Sequence, residues 1–319
     1  MKKKLTLLLV VLLVAAVAGP LFAGGAQEKS DDGTLRFAFL PNTQNNTFQS
    51  TMNDTYEALS AEHGIEYTVL DPDYDLNTQL NQLSDAANQR YDMVFVIPVD
   101  SNGITAGLME LKQAEVPVIN VDTSVGKDDL DLVLSVVATD AYMAGTLVGK
   151  QLVEDYPEGG KIAILDFPSN ESCVDRVAGF MDGIGSNINN YEIVAQQDGA
   201  AALDVSLVLA EDILTAHPDL TAFFCINDPS ALGAAAAIKA ANKKGEVGVY
   251  SIDASPQGKQ ALLDGEFTAV AAQVPIEIAK YSFQQALDYL DGKNIETSVY
   301  LPSHLVSIEE AKKTVNDWQ

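Results

Sequence analysis

The sequence predicts an α/β protein built from two doubly wound, parallel-sheet lobes. Three observations lead to this prediction: short apolar strand candidates alternate with helical stretches, the strand runs are continuously apolar, and the rhythm occurs in both halves of the chain. Strands that are covered by helices on both faces have such continuous apolar runs. Sequential crossovers of this kind produce parallel sheets, and the length of 319 residues favours two lobes over one core.

The strand candidates come in two sets of five. The first set covers residues 35–40, 65–70, 92–97, 116–121 and 132–137, and the second covers 161–165, 191–196, 221–226, 247–252 and 267–273. Helical stretches lie between them at 48–62, 77–90, 140–154, 204–215 and 230–241. Leu76, Leu80, Leu83 and Ala87 have the spacing of one apolar helix face.

The N-terminus has the pattern of a cleaved export signal. Lys2, Lys3 and Lys4 precede an apolar run over 5–17, and Leu21-Phe22-Ala23 forms a small-residue cleavage site. We therefore expect residues 1–23 to be a signal peptide cleaved after Ala23, residues 24–33 to be a disordered leader, and the mature protein to be periplasmic. The apolar run is short for a membrane span, which needs about 20 residues.

Charge and motifs argue against several classes of protein. The formal net charge of −26 disfavours binding to nucleic acid or to an anionic membrane surface. No GxSxG, HExxH or Walker A motif is present, so we predict no enzyme and no cofactor. Asp71, Asp73 and Asp75 alternate as in a calcium loop, but Leu76 stands where that loop needs glycine, and helix capping by Asp75 is the simpler interpretation.

Polar residues at the ends of the predicted strands are the candidate site. Open parallel sheets bind ligands beyond the carboxyl ends of their strands. The strand-end residues are Asn46, Asp122, Asn227, Asp253 and Gln273, and Asn45 and Phe48 flank the first of them. Amides that donate and accept, together with carboxylates that accept two hydroxyls, suit a hydroxyl-rich ligand.

Each of these residues also has a purely structural alternative. Asn46 or Thr47 could simply cap the following helix, and Asp122 and Asp253 could be caps or members of a salt-bridged scaffold. Of Asn227 and Asp228, we expect one to cap a helix and the other to face the cleft. Arg176 could be a surface partner of Asp175 or Glu171. The two cysteines, Cys173 and Cys225, could form a disulfide or remain buried thiols.

Several strings, in order, resemble the ribose-binding group of periplasmic sugar-binding proteins, the substrate-capturing subunits of ABC importers. They are NNTF, VINVD, DRVAGF, FFCINDPSALGA and VYSIDASPQGKQALLDGEFTAVAAQ, and the resemblance covers residues 34–307. It implies an N-terminal lobe of 34–138 plus 274–303 and a C-terminal lobe of 139–273 plus 304–319. Three chain crossings would form a hinge, and a sugar would be enclosed as the lobes close.

The resemblance also implies the ligand-binding residues. Asn46, Phe48 and Asp122 would face Arg176, Asn227, Asp253 and Gln273, with aromatic rings against the C–H faces of the sugar. The chain departs from the ribose pattern at Gln49, at Thr123 and near Ala201 and Ala202, where a third aromatic is absent. We therefore do not carry ribose over as the ligand: a different pentose, hexose, furanose or polyol fits the retained residues equally well. Thr123 would lie within the site, and Phe167 could be either a replacement stacking ring or a core residue.

The expected function is capture of a sugar or polyol by a monomeric binding protein that docks on the membrane permease of an ABC importer. One alternative is a sensory module of the same fold that signals to a chemoreceptor or kinase. A non-sugar ligand such as a nucleoside is another, and an exported sugar-modifying enzyme stays a third. A sugar-responsive repressor is excluded, because an export signal stands where a DNA-binding helix-turn-helix would be needed.

Overall fold

The computed structural model describes residues 33–318, which form two parallel β-sheets with helices on both faces. The first sheet has the order β11-β5-β4-β3-β1-β2 and contains β1 (Arg36–Leu40), β2 (Glu66–Val69), β3 (Met93–Val96), β4 (Val118–Val121), β5 (Ser135–Thr139) and β11 (Ser298–Leu301). The second has the order β10-β9-β8-β6-β7 and contains β6 (Gly160–Asp166), β7 (Tyr191–Asp198), β8 (Ala222–Cys225), β9 (Gly248–Asp253) and β10 (Ala269–Ala272). All pairings between these strands are parallel, which confirms the predicted fold class.

Ten α-helices connect the strands of this part of the chain. They are α1 (Thr47–His63), α2 (Leu76–Gln89), α3 (Thr105–Gln113), α4 (Ala141–Asp155), α5 (Glu171–Ile184), α6 (Leu203–Ala216), α7 (Asp228–Ala240), α8 (Pro256–Leu263), α9 (Pro275–Leu290) and α10 (Ile308–Thr314). Within residues 33–318, no helix combines the length and the apolar character that a bilayer crossing requires.

The continuous apolar strands follow from burial on both faces of each sheet. In β1, Phe37 and Phe39 belong to one hydrophobic cluster, whereas Ala38 and Leu40 belong to a second cluster on the opposite face. The second sheet is likewise covered by two clusters. Because side chains alternate between the faces of a strand, a sheet buried on both sides requires apolar residues at consecutive positions.

The chain crosses between the two sheets after β5, after β10 and after β11. The crossing segments lie side by side: Asp140 N donates to Leu301 O at 2.8 Å, Ala272 N donates to His304 O at 2.8 Å, and Ser303 Oγ donates to Ala272 O at 2.8 Å. Three adjacent connections restrict the relative movement of two lobes mainly to hinge bending.

Helices α4 and α5 approach each other through glycines. A Cβ at Gly145 would collide with the Arg176 carbonyl oxygen, and a Cβ at Gly179 would collide with the Tyr142 carbonyl oxygen. Only a residue without a side chain permits this backbone contact. The close packing fixes the position of α5, the helix that carries Arg176.

Some predicted elements were wrong or were missed. Residues 132–134 are not strand: a 3₁₀ helix covers Lys127–Leu132, and β5 begins at Ser135. The apolar residues Leu132 and Val133 pack against the core from this helical turn, so hydrophobicity alone gave the wrong boundary. Strand β11 and helices α3, α5, α8, α9 and α10 were not among the predicted elements. On α2 the buried residues are Gln79, Leu83, Ala86 and Ala87. Of the predicted apolar face, Leu83 and Ala87 are therefore buried, whereas Leu76 and Leu80 are only half-buried.

The alternating aspartates have structural roles. Asp75 caps α2 by accepting a hydrogen bond from Thr78 N at 2.6 Å, as the capping interpretation predicts. Asp73 Oδ1 accepts from Asn45 Nδ2 at 3.1 Å, and Asp71 Oδ2 accepts from Gln44 N at 3.1 Å. These bonds brace the loop between β1 and α1. Among residues 33–318 no three carboxylate, histidine or cysteine side chains are grouped as a metal site.

Candidate sugar-binding site

A polar cavity lies between the carboxyl edges of the two sheets. We call it the inner cavity; its volume is about 50 Å³. Eight of the nine predicted residues line it: Asn46, Phe48, Asp122, Thr123, Arg176, Asn227, Asp253 and Gln273. Residues from both sheets therefore converge on one space, at the position where doubly wound folds bind ligands. The ninth predicted residue, Asn45, does not line the inner cavity.

An outer cavity of about 380 Å³ adjoins the inner one. Asn46, Tyr74, Ala201 and Asp253 line both. The remaining wall of the outer cavity is formed by Thr43, Asn45, Thr47, Ala202, Leu203, Asp228, Pro229, Leu232, Ser255, Gln257 and Trp318. Asn45 therefore lies in the outer part of the cleft, where its amide is held by Asp73.

Asp122 follows β4 with a backbone φ of 61°. This left-handed conformation is uncommon for a residue with a side chain, although aspartate tolerates it better than most. Its Oδ1 is shielded from solvent and has no hydrogen-bond partner among residues 33–318. Burial raises the pKa of this carboxyl to about 7; Arg176 opposes the shift and Asp253 adds to it. Asp122 thus presents an acceptor that no group within residues 33–318 satisfies.

Asp253 is the last residue of β9 and has a φ of 139°, a conformation that glycine normally occupies. Its Oδ1 accepts a hydrogen bond from Gln273 Nε2 at 2.7 Å, and its Oδ2 accepts from Asp228 N at 3.1 Å. Burial raises the pKa of Asp253, while Arg176 and Gln273 lower it. The carboxylate is therefore held in one orientation at the cavity wall.

Arg176 is buried, and it pairs with neither Asp175 nor Glu171. Its Nη1 donates to Ile226 O at 2.7 Å and lies 3.8 Å from Asp253 Oδ1. Its Nε is buried without a partner in the described part of the chain. An unsatisfied buried donor costs about 1–3 kcal/mol. A ligand that accepts a hydrogen bond here would remove that cost.

Two of the predicted site residues are also helix caps. Asn46 Oδ1 accepts from Phe48 N at 2.8 Å at the start of α1, and Asn227 Oδ1 accepts from Ser230 N at 3.0 Å at the start of α7. Both residues therefore cap a helix and also line the inner cavity. Asn46 also follows β1 by six positions and does not end the strand, because a loop separates β1 from α1.

Asp228 does not share the role of Asn227. Its carboxylate accepts from Ser255 N at 2.8 Å, Ser255 Oγ at 2.6 Å and Ser251 Oγ at 2.8 Å. Burial and the nearby Asp253 raise its pKa to about 7. Asn227 caps α7 and also lines the inner cavity, whereas Asp228 braces the loop after β9 and borders the outer cavity.

Thr123 takes part in direct contacts between the two lobes. Its Oγ1 accepts from Asn170 Nδ2 at 2.9 Å and lies 3.3 Å from Ser172 Oγ. Nearby, Glu171 N donates to Ser101 Oγ at 3.1 Å, and Lys127 Nζ lies 3.2 Å from the Glu171 carboxylate. These bonds join the loops after β3 and β4 to the start of α5. The two lobes are therefore closed onto each other at this side of the cleft.

Aromatic rings border the polar groups. Phe48 is buried in the core of the first sheet and also lines the inner cavity, as does the half-buried Phe167. Gln49 also lines the inner cavity, and its Oε1 accepts from Asn42 N, in the loop after β1, at 2.6 Å. Cys173 also lines the inner cavity, and both cysteines are buried free thiols.

Sequence reasoning missed Tyr74, Asn170, Ser172 and Trp318 in the walls of the two cavities. None of them ends a strand: Tyr74 lies in the loop before α2, Asn170 and Ser172 lie at the start of α5, and Trp318 follows α10. Trp318 carried one signal, because it is the single tryptophan of the chain. The other three residue types are common in loops and at helix starts.

Two parallel-sheet lobes, joined by three adjacent connections around a polar cavity, define a type I periplasmic binding protein. The chain belongs to the periplasmic binding protein domain family, whose sequence model matches residues 37–294. Members of this family bind substrates and do not transform them. The family assignment agrees with the resemblance seen in the sequence.

Individual relatives match over nearly the whole chain. The ribose import binding protein of Salmonella typhimurium is 28% identical over 96% of this chain and 98% of its own length. A Mycobacterium smegmatis structure in complex with β-D-fucofuranose is 25% identical with a TM-score of 0.83, covering 88% of this chain and 93% of that one. A Caulobacter myo-inositol binding protein, solved with myo-inositol, is 26% identical with a TM-score of 0.81, covering 92% and 98%.

Proposed function

We propose that this protein captures a monosaccharide or related polyol between two closing lobes and delivers it to the permease of an ABC importer. The observation that carries the proposal is the convergence on one cavity of Asp122, which follows β4 of the first sheet, with Asp253 of β9 in the second sheet and Arg176 of α5. We assign the lobes as 34–138 plus 274–303 and 139–273 plus 304–319. The three connections between the sheets would act as the hinge.

The unsatisfied groups of the inner cavity define the ligand chemistry. Asp122 Oδ1 is an acceptor and Arg176 Nε is a donor, and both are shielded from solvent. A hydroxyl group donates and accepts at once, so adjacent hydroxyls satisfy both types of group. Hydrogen bonds to a charged group contribute about 1.5–3 kcal/mol each. Relatives solved with β-D-fucofuranose and myo-inositol support a cyclic polyol with several hydroxyls.

The ligand-binding residues of this proposal are Asn46, Phe48, Asp122, Thr123, Arg176, Asn227, Asp253 and Gln273, with Asn45 at the outer edge. Phe48 and Phe167 would contact the apolar faces of the ring. The ribose import relatives share only about a quarter of their residues with this chain, and Gln49 and Thr123 differ from the ribose pattern. Ribose itself is therefore not proposed as the ligand.

Export and delivery complete the proposal. We expect a signal peptide over residues 1–23, cleaved after Ala23, and a leader over residues 24–33. Apart from Gly33, these residues lie outside the described part of the chain, so both remain predictions. The ligand-loaded, closed monomer would dock on the membrane permease in the periplasm. The net charge of −26 supports a partner other than nucleic acid.

A thermal-shift screen of the mature protein tests this function. The panel contains pentoses, hexoses, inositols, furanosides, nucleosides and amino acids. A ligand that binds only the native state stabilises it by about 4 kcal/mol at a thousandfold excess over Kd. We expect one sugar or polyol to raise Tm strongly. Shifts only with nucleosides or amino acids would overturn the substrate class and retain the fold.

A further inference from the structure

The outer cavity is much larger than the inner one and has a different lining. Apart from the shared residues, its wall contains Leu203, Pro229, Leu232 and Trp318, together with the amides of Asn45 and Gln257. Tyr74 is 40% exposed and Leu203 is 45% exposed, which is a large exposure for apolar or aromatic side chains that face a cleft. Such walls with a few placed polar groups are typical of ligand sites.

Small side chains and a tight turn leave this space open. Ala200 and Ala201 have φ values of 53° and 52°, so the chain turns sharply before α6, and Ala201 and Ala202 present only methyl groups to the cleft. A larger side chain at either position would occupy part of the 380 Å³. The turn therefore makes room beside Asp253 and Asn46, two of the four residues that line both cavities.

The C-terminal tail places Trp318 over this space. The buried Lys259 of α8 donates from Nζ to Asp317 O at 2.6 Å and to Thr314 Oγ1 at 3.3 Å, which fixes the chain immediately before Trp318. The indole ring meets Phe48 of α1 edge to face, with 5.5 Å between centroids and an interplanar angle of 81°. Trp318 is therefore held from α8 on one side and against α1 on the other.

We propose that the outer cavity is a second subsite, which takes a ring attached to the sugar bound in the inner cavity, and that Trp318 is a specificity-determining residue for it. The inference rests on the proposed function. The flat indole and the Tyr74 ring suit the C–H face of a second sugar or the face of an aryl group. Asn45 and Gln257 supply donors and acceptors for hydroxyls at its rim. The ligand class is a glycoside with two rings.

Calorimetric titrations with matched glycosides test this subsite. The probes are the methyl and p-nitrophenyl glycosides of arabinofuranose, galactofuranose, galactose and glucose, together with the disaccharides galactobiose and maltose. We expect at least one two-ring probe to bind about tenfold more tightly than its methyl counterpart, which corresponds to about 1.4 kcal/mol. Comparing the disaccharides with the p-nitrophenyl glycosides shows whether the outer cavity binds a second sugar or an aromatic group.

Substitutions of Trp318 connect this gain to the indole ring. Trp318→Ala should remove the gain while leaving the affinity for the methyl glycoside within about threefold, and Trp318→Phe should retain most of the gain. Tyr289→Ala is the matched control, because Tyr289 is an exposed aromatic of α9 that lines neither cavity. Since Trp318 is the single tryptophan, the two-ring probe should also change the intrinsic fluorescence more than the methyl glycoside does.

Three results would overturn the inference. Equal affinities for methyl and two-ring probes would show that the outer cavity is only an entrance, and the proposed function would stand. A gain that persists in Trp318→Ala would remove the role of the indole, again without affecting the function. Absence of binding by every glycoside and disaccharide would overturn this inference, whereas the proposed function would fall only if the thermal-shift screen, with its pentoses, hexoses and inositols, also gave no shift.

Discussion

Arg176 Nη1 lies 3.8 Å from Asp253 Oδ1, and both side chains are less than a tenth exposed. The arginine comes from α5 and the aspartate from the end of β9, so two elements far apart in sequence meet at the inner cavity. The same arginine also lowers the pKa of Asp122, which follows a strand of the other sheet. One cation therefore acts on two carboxylates across the cleft.

Replacing Asp253 with asparagine should weaken ligand binding by about 10- to 100-fold. The substitution removes a charge-assisted acceptor worth about 1.5–3 kcal/mol and leaves Arg176 without its ion-pair partner. Calorimetric titration with the sugar found in the thermal-shift screen measures the effect. Asp85→Asn, at an exposed position of α2, should leave Kd unchanged. Near-native affinity in Asp253→Asn would contradict the site assignment.

The stability of the unliganded protein should fall as pH rises from about 4 to 7. Asp122 and Asp228 each have a pKa of about 7 in the folded state, above the value near 3.9 of an unfolded aspartate, so the folded state binds more protons over this interval. Each group then decreases the free energy of unfolding by up to about 1.4 kcal/mol per pH unit.

Urea unfolding at several pH values measures this dependence. Asp122→Asn should flatten the profile, because an amide does not titrate. A stability that rises with pH over the same interval, or a slope unchanged in Asp122→Asn, would show that the Asp122 carboxyl is ionised in the unliganded protein.

Ligand affinity should have the opposite dependence on pH. Hydroxyl donors favour ionised Asp122, so binding should release a proton near pH 6 and Kd should decrease as pH rises toward 8, by at most about tenfold per pH unit. Calorimetry in two buffers of different ionisation enthalpy counts the protons released. Uptake of protons on binding would indicate that the ligand accepts a hydrogen bond from protonated Asp122.

The glycine contact between α4 and α5 should be essential for the position of Arg176. Gly145→Ala places a methyl group against the Arg176 carbonyl oxygen, so α5 must shift or the helices must separate. We expect a loss of about 1–3 kcal/mol in the free energy of unfolding and at least a tenfold weaker ligand affinity. Lys150→Ala, at an exposed position of the same helix, is the control. Wild-type affinity in Gly145→Ala would show that ligand binding does not depend on the contact between α4 and α5.

Both cysteines should be unreactive in the folded protein. Burial raises the pKa of Cys173 to about 12, and burial also raises the pKa of Cys225, so little thiolate exists at neutral pH. A thiol assay should detect two free thiols after denaturation and neither before it. Because Cys173 lines the inner cavity, ligand should slow its reaction further. Detection of no free thiol in the denatured protein would indicate a disulfide.

The sequence predicted the fold because the pattern that specifies it is local. Continuous apolar runs such as Met93–Val96 identify strands buried on both faces, and the alternation with helices implies parallel sheets. Strand β11 was missed because it is an edge strand with an exposed, mixed pattern. The segment around Leu132 was misassigned because a helical turn can bury apolar residues as well as a strand can.

The site was predictable where residues follow strands and unpredictable where they do not. Asp122, Asp253 and Gln273 follow or end strands of parallel sheets, so topology alone places them at the cleft. Trp318 reaches the cleft through tertiary contacts of the tail with Lys259 and Phe48, which no local pattern specifies. The double role of Asn227 likewise depends on geometry, since a cap and a cavity residue have the same sequence signature.

A crystal structure of the protein with the sugar or polyol that gives the largest thermal shift is the most direct test of the central claim. We expect one ligand ring in the inner cavity, with hydroxyls about 2.6–3.2 Å from Asp122 Oδ1, Arg176 and Asp253. A ligand bound elsewhere, or one whose hydroxyls contact neither aspartate, would contradict it.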